Sequence, residues 1–243
     1  MIDAVQQQEM ESEVSAMRIE SSITAVSWIP SGSVNGVAKL PFSMGVTHYD
    51  EQPPRRLGDM EILRRDGRVR EVNHLRAWIE VDGGRVVNYG FDGPAGFVGS
   101  TDMDLGWTRL TVRGKARPVI RRRPVVSSRS VRFFQTVGGR TGVPFPRLTS
   151  RPPFFAWHSS TAWTTLVLTL HVDGRSEGWL LGASHFPRHT LYDHDGRLVG
   201  ETASTDFRYW FSNSYGGNTP WGGRELEPLE LREVVPAAGL EVA

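Results

Sequence analysis

Residues 72–89, VNHLRAWIEVDGGRVVNY, decide the fold. Leu75, Ala77, Ile79 and Val81 occupy every second position, and the run stops at Asp82-Gly83-Gly84 before a second run starts at Arg85. A period of two is the signature of a strand with one buried face. Asp and Gly accept the positive φ angles of a tight hairpin turn, so the pair joins two strands. The same punctuation recurs at Asp66-Gly67-Arg68, Asp173-Gly174-Arg175 and Asp195-Gly196-Arg197. It predicts further hairpins over residues 163–183 and 189–202.

Working outward, residues 19–29 alternate Ile19, Ile23, Ala25 and Ile29 with polar neighbours and read as the first strand. Residues 37–49 read as extended, interrupted by Pro41, and 58–65 as a helical turn. Residues 97–105 and 109–120 form a strand pair, 121–128 a loop, 130–137 a strand and 138–153 a long surface loop. Ser204 or Thr205 caps a short helix running to Trp210 or Phe211, which Gly216-Gly217 ends. About ten strands with no strand–helix rhythm predict an all-β, mainly antiparallel protein. The expected architecture is a single-domain barrel, lipocalin-like, over residues 17–223, with a polar tail at 1–16 and a peripheral tail at 224–243. A barrel is preferred to a sandwich because the second face of several strands carries large mixed side chains. His74, Arg76, Trp78 and Glu80 form one such face, and Trp163, Thr165, Val167, Thr169 and His171 another.

Composition removes several function classes. There are no cysteines among the 243 residues, so disulfides, thiolate metal sites and cysteine nucleophiles are excluded. A net charge of +1 supplies no general attraction to nucleic acid. Arg121-Arg122-Arg123 is the one basic cluster and reads as a solvated loop. No apolar run approaches the roughly 20 residues of a membrane helix, and the first residues are polar and acidic, unlike a secretory signal. We expect a cytoplasmic protein with neither a membrane nor a nucleic-acid partner.

Residues 184–194, SHFPRHTLYDH, concentrate three histidines. Pro187 breaks the helical spacing of His185 and His189, and in a strand His189 and His194 point apart, so no metal is expected. Acid–base chemistry needs only one histidine near neutral pKa, which makes His158, His185 and His189 the catalytic candidates. Ser159 beside His158 lacks the Gly-x-Ser-x-Gly elbow of a serine hydrolase. Gly138-Gly139-Arg140-Thr141-Gly142 lacks the lysine of a phosphate-binding loop. No cofactor is expected.

Residues 133–155 (FFQTVGGRTGVPFPRLTSRPPFF), 161–184 (TAWTTLVLTLHVDGRSEGWLLGAS) and 186–222, together with 17–30 and 73–80, carry a wider likeness. They resemble an uncharacterised protein family of high-GC bacteria, some members of which have a cyclic-nucleotide-binding domain after this region. We expect that domain to be absent from a chain stopping at Ala243. The resemblance implies a ligand-responsive or accessory role and brings no catalytic residues with it.

The functional expectation is a small-molecule-binding barrel, acting as a cofactor-independent cyclase or isomerase on a largely apolar intermediate. An aromatic wall can hold a flexible substrate in a reactive shape. His74, Arg76, Trp78, Glu80, Trp163 and His171 are its expected substrate-binding residues. The alternative is a non-catalytic sensory or protein-interaction module. Oligomeric state is not encoded in any feature of the sequence.

Overall fold

A computed structural model describes residues 16–65, 69–141, 145–148, 154–158 and 160–222. The chain opens with β1 (Met17–Trp28) and passes through 3-10 turns at Ser31–Ser33 and Gly36–Lys39 into α1 (Leu40–Ser43). Helix α2 (Met60–Arg65) precedes the long strand β2 (Glu71–Asp82) and its partner β3 (Arg85–Asp92). Five short strands follow: β4 (Gly96–Val98), β5 (Thr101–Asp104), β6 (Arg109–Val112), β7 (Lys115–Ala116) and β8 (Ile120–Val126). Then come β9 (Ser130–Arg140), β10 (Phe145–Leu148), β11 (Phe155–His158), β12 (Thr161–His171), β13 (Ser176–Ala183), β14 (Arg188–Tyr192) and β15 (Leu198–Glu201). Helix α3 (Phe207–Asn213) closes the described chain with a 3-10 turn at Gly216–Asn218.

These strands make two principal antiparallel sheets. One has the order β15-β14-β1-β2-β3, with β4 sharing the β3 side of β2; the other has the order β13-β12-β9-β7, with β8 also on β9. β1 and β2 lie across β12 and β9. Their facing aliphatic rows interlock: Ile23 and Ala25 of β1, Leu75, Ala77, Ile79 and Val81 of β2, Val131 and Phe133 of β9, and Leu166, Leu168 and Leu170 of β12. No sheet closes on itself among the described residues, so the expected closed barrel is not seen there. What is seen is two stacked sheets of mainly antiparallel strands.

The hairpin readings stand. Gly83, Gly84, Gly174 and Gly196 all hold positive φ, at 54°, 71°, 87° and 72°, while Asp66-Gly67-Arg68 falls outside the described residues. Four other readings change. Residues 37–49 are turns and short helix rather than extended chain, because their apolar side chains gather around a cavity instead of alternating across a sheet. Residues 121–126 are strand, not loop: Pro124 sits on an edge strand where the β8–β9 register shifts between Arg122 and Val125, the position a sheet allows to proline. Gly138 and Gly139 belong to β9. A Cβ on either would stand 2.4 Å from a neighbouring carbonyl, that of Ala162 or of Lys115, so glycine here serves close strand approach and not a loop. The helix is capped by Asp206, whose carboxylate accepts the Arg208 N–H at 2.7 Å, rather than by Ser204 or Thr205. Both expected tails, apart from residue 16, lie outside the described residues.

Candidate functional site

One end of the stacked sheets is not filled by aliphatic side chains. β1 runs out into Ile29, β2 is entered from Arg70, and β9 leaves through Thr141. α3 is fastened across this end. Trp210 Nε1 donates to the Thr161 carbonyl at 3.1 Å, Ser160 Oγ donates to the Phe211 carbonyl at 2.7 Å, and the Thr161 N–H donates to the Ser214 carbonyl at 2.8 Å. The α1 segment meets it from the other side, with Phe42 stacked on Tyr49 at 4.7 Å and edge-on to Phe207 at 5.7 Å. Between them lies a cavity of about 420 Å³. Ile29, Val37, Phe42, Met103, Phe207 and Trp210 form most of its wall, and Thr47, Thr101, Thr141 and Arg70 supply its polar points.

Arg70 is fixed by its neighbours. Its Nε–H reaches both Asp50 oxygens, at 2.9 and 3.0 Å; Nη1 donates to Thr101 Oγ1 at 2.6 Å, and Nη2 to the His48 carbonyl at 3.2 Å. The Ile29 N–H also donates to Asp50. The two side chains are 2 % and 0 % exposed. Burial pushes the Asp50 carboxyl above its ordinary value, opposed by the Arg70 guanidinium and the Ile29 N–H.

One residue deeper the interior remains polar. Ser27 Oγ lies 2.5 Å from Glu71 Oε2 and 2.8 Å from His189 Nδ1, and His189 Nε2 lies 3.0 Å from the Ser184 carbonyl. Thr164 Oγ1 donates to Glu71 Oε1 at 2.9 Å. Protons can be assigned by elimination. The Ser184 carbonyl only accepts, so Nε2 carries the proton and Nδ1 must accept the Ser27 O–H. Ser27 then has no proton left for Glu71, and their hydrogen bond is made when Glu71 is protonated and donates to Ser27. Burial favours the same state, raising Glu71 to about 8 against the Ser27 and Thr164 bonds and lowering His189 to about 4. The alternative, Glu71 anionic and His189 cationic, would hold two buried charges. Beside this chain, Gln135 Nε2 donates to Asn73 Oδ1 at 3.0 Å, and Asn73 Nδ2 to the Thr164 carbonyl at 2.9 Å.

The predicted site residues are scattered. His189 is in the buried chain just described and does not line the cavity. Phe186 stands between, 6.1 Å from the His189 ring and 4.7 Å from that of Trp210. His185 packs edge-on against Tyr209 at 4.8 Å. His158 lies outside the residues whose side chains are described. The face His74, Arg76, Trp78 and Glu80 is turned away from the core, which the opposite face of β2 fills. His74 Nδ1 bonds Thr24 Oγ1 at 2.9 Å, and burial lowers its pKa. Arg76 pairs with Glu20 at 3.0 Å and Asp92 at 3.3 Å, Arg18 covers Trp78 at 4.3 Å, and Glu80 accepts from Asn88 at 3.1 Å. The expected pocket on this face is therefore replaced by surface pairs. Trp163 is buried behind Gly138, and His171 lies at the opposite end of β12, 3.8 Å from Glu177. Neither lines the cavity.

The sequence reading missed Asp50, Arg70, Ser27, Glu71, Asn73, Gln135 and Thr164. A signal existed for five of them. Extending the buried apolar rows by strand parity reaches Asn73 and Glu71 on β2, Ser27 on β1, Gln135 on β9 and Thr164 on β12, polar residues on faces otherwise buried and apolar. Among the described residues no group of three His, Asp or Glu is arranged to hold a metal, and no helix is long and apolar enough to cross a membrane. Comparison with protein-family models, with curated proteins and with solved structures finds no match to this chain.

Proposed function

We propose that this protein binds a largely apolar small molecule in the cavity between α1, α3 and the open end of the two sheets. The observation that carries the reading is the cavity itself. Its volume of about 420 Å³ falls among small-molecule sites, which are mostly apolar with a few placed polar groups. Residues on the turns and helices form much of this lining, which is where the chain departs from a plain sandwich.

Binding is favoured over acid–base catalysis, because the described lining holds no histidine or carboxylate. The expected cyclase or isomerase remains as a second reading in one form. The aromatic wall of Phe42, Phe207, Trp210 and Phe211 would fold a flexible chain into a reactive conformer by shape alone. A resemblance of most of residues 17–222 to an uncharacterised bacterial family supports a ligand-responsive role.

The test is a titration with the neutral apolar fluorophore N-phenylnaphthylamine, against wild type and Ala38→Phe. Ala38 lines the cavity, so a phenyl ring there should occupy the space. Saturable enhancement in wild type and its loss in a folded Ala38→Phe variant is the expected result. Equal binding to both proteins would exclude the cavity as the site.

A further inference from the structure

We infer that the cavity selects neutral ligands bearing one hydrogen-bond acceptor, such as a long-chain ketone, ester or aldehyde, and discriminates against carboxylates. This rests on the proposed binding role and adds the chemical class of the ligand. Arg70 is the one cation in the described lining, which by itself would suggest an anion site. Asp50 reverses that expectation. Each contact to its oxygens comes from a donor, Arg70 Nε–H or the Ile29 N–H, so the carboxylate acts as an ionised acceptor. The pair sums to zero charge with both side chains shielded from water.

A carboxylate entering beside that pair would bring an unbalanced charge into an apolar space, and its desolvation would go uncompensated. A carbonyl loses far less on leaving water. The donors to meet it are present. Four of the five guanidinium hydrogens go to Asp50, Thr101, Ser100 and His48, and the fifth, on Nη2, has no acceptor among the described residues. Thr101 Oγ1 receives its bond from Arg70 and keeps its own proton to donate. An acceptor atom between Arg70 and Thr101 would take a charge-assisted bond without changing the net charge of the site.

The experiment displaces bound N-phenylnaphthylamine at neutral pH with a long-chain methyl ketone and with the carboxylate of equal chain length. In wild type the ketone should displace the probe at a concentration at least about tenfold lower. Asp50→Asn removes the negative charge and leaves Arg70 unbalanced, so the order should reverse. Should that variant fail to fold, Thr101→Val serves in its place: it removes the hydroxyl donor and should weaken the ketone severalfold, and an unchanged ketone would overturn the inference. A carboxylate that competes equally well or better in wild type overturns the inference and leaves the binding role standing. A probe that fails to bind wild type, or binds Ala38→Phe equally, overturns both.

Discussion

The middle of the sandwich and its cavity end are built on the same strands but on opposite chemistry. On β2 the inward face runs Val81, Ile79, Ala77, Leu75 and then changes to Asn73 and Glu71. On β1 it runs Ile23, Ala25 and then Ser27, and on β12 Leu170, Leu168, Leu166 and then Thr164. β9 does the same, from Val131 and Phe133 to Gln135, so four strands switch from apolar to polar at one level of the stack, and beyond that level the interior opens into the cavity. The middle of the stack is specified by packing. The polar level is specified by hydrogen bonds, because a buried polar atom without its partner is costly.

The largest effects should separate these two logics. Phe133, fully buried against Phe91 with ring centroids 5.2 Å apart, should cost about 3–5 kcal/mol when changed to alanine. Arg70→Met should cost about as much, since Asp50 would be left as a buried unpaired charge. Rescue tells the two apart. Adding Asp50→Leu to Arg70→Met removes the stranded charge and should recover most of the loss, measured by chemical denaturation. A double variant no more stable than Arg70→Met would show that the pair acts through packing, and the contrast between the two ends would lose its basis.

That contrast also explains how far the sequence could be read. The strands and turns come from local rules, a period of two and the Asp-Gly pair, so β2, β3, β12 and β13 were legible together with their buried aliphatic face. The expectation of a closed barrel rests on large side chains such as Trp78 and Trp163 on the second strand face, but side-chain size does not say which way a strand face looks. Trp78 is held outside by Arg18, and Trp163 is accommodated inside by the missing Cβ of Gly138. The cavity was not legible because its wall is assembled from distant segments, with Ile29 just past β1, Phe42 on α1, Met103 on β5 and Trp210 on α3. Asp50 and Arg70 sit in a loop and just before a strand, where no periodicity marks a partner.

A medium effect should appear in the pH dependence of stability. Glu71 has a folded value of about 8 against an ordinary 4.5, so its contribution is complete below pH 4.5 and lost as pH rises towards 8. His189 has a folded value of about 4 against 6.5, so its contribution is complete above pH 6.5 and lost as pH falls towards 4. Between 4.5 and 6.5 the folded and unfolded chains each hold one proton on this pair, and its contribution is level. Above pH 6.5 stability should fall by up to about 1.4 kcal/mol per pH unit until Glu71 ionises. Glu71→Gln keeps a donor for Ser27 and an acceptor for Thr164 but cannot titrate. Denaturation at about pH 6 and about pH 8 should show a loss of roughly 2 kcal/mol in wild type and little in the variant. A variant that kept the full decline would place its origin elsewhere and weaken the proton assignment in the polar layer.

The smallest expected effect bears on the outer face. Trp78 lies across Gly90, where an added Cβ would come within 2.8 Å of its ring, and Arg18 sits over it at 4.3 Å. Neither contact reaches the cavity. Trp78→Ala should forfeit the cation–π contact and part of a half-buried ring, about 1 kcal/mol in all. For a chain of this size that is a fall in melting temperature of roughly 2–4 °C. Affinity for the apolar probe should stay at the wild-type level, because no lining residue moves. Had Trp78 belonged to a ligand site, the pattern would invert, with binding weakened and melting unchanged. An inverted result would return the ligand site to the β2 face, and the cavity end would then be a structural gap between α1 and α3. Measuring melting and probe affinity on the same preparation of Trp78→Ala therefore decides which surface of this sheet meets the ligand.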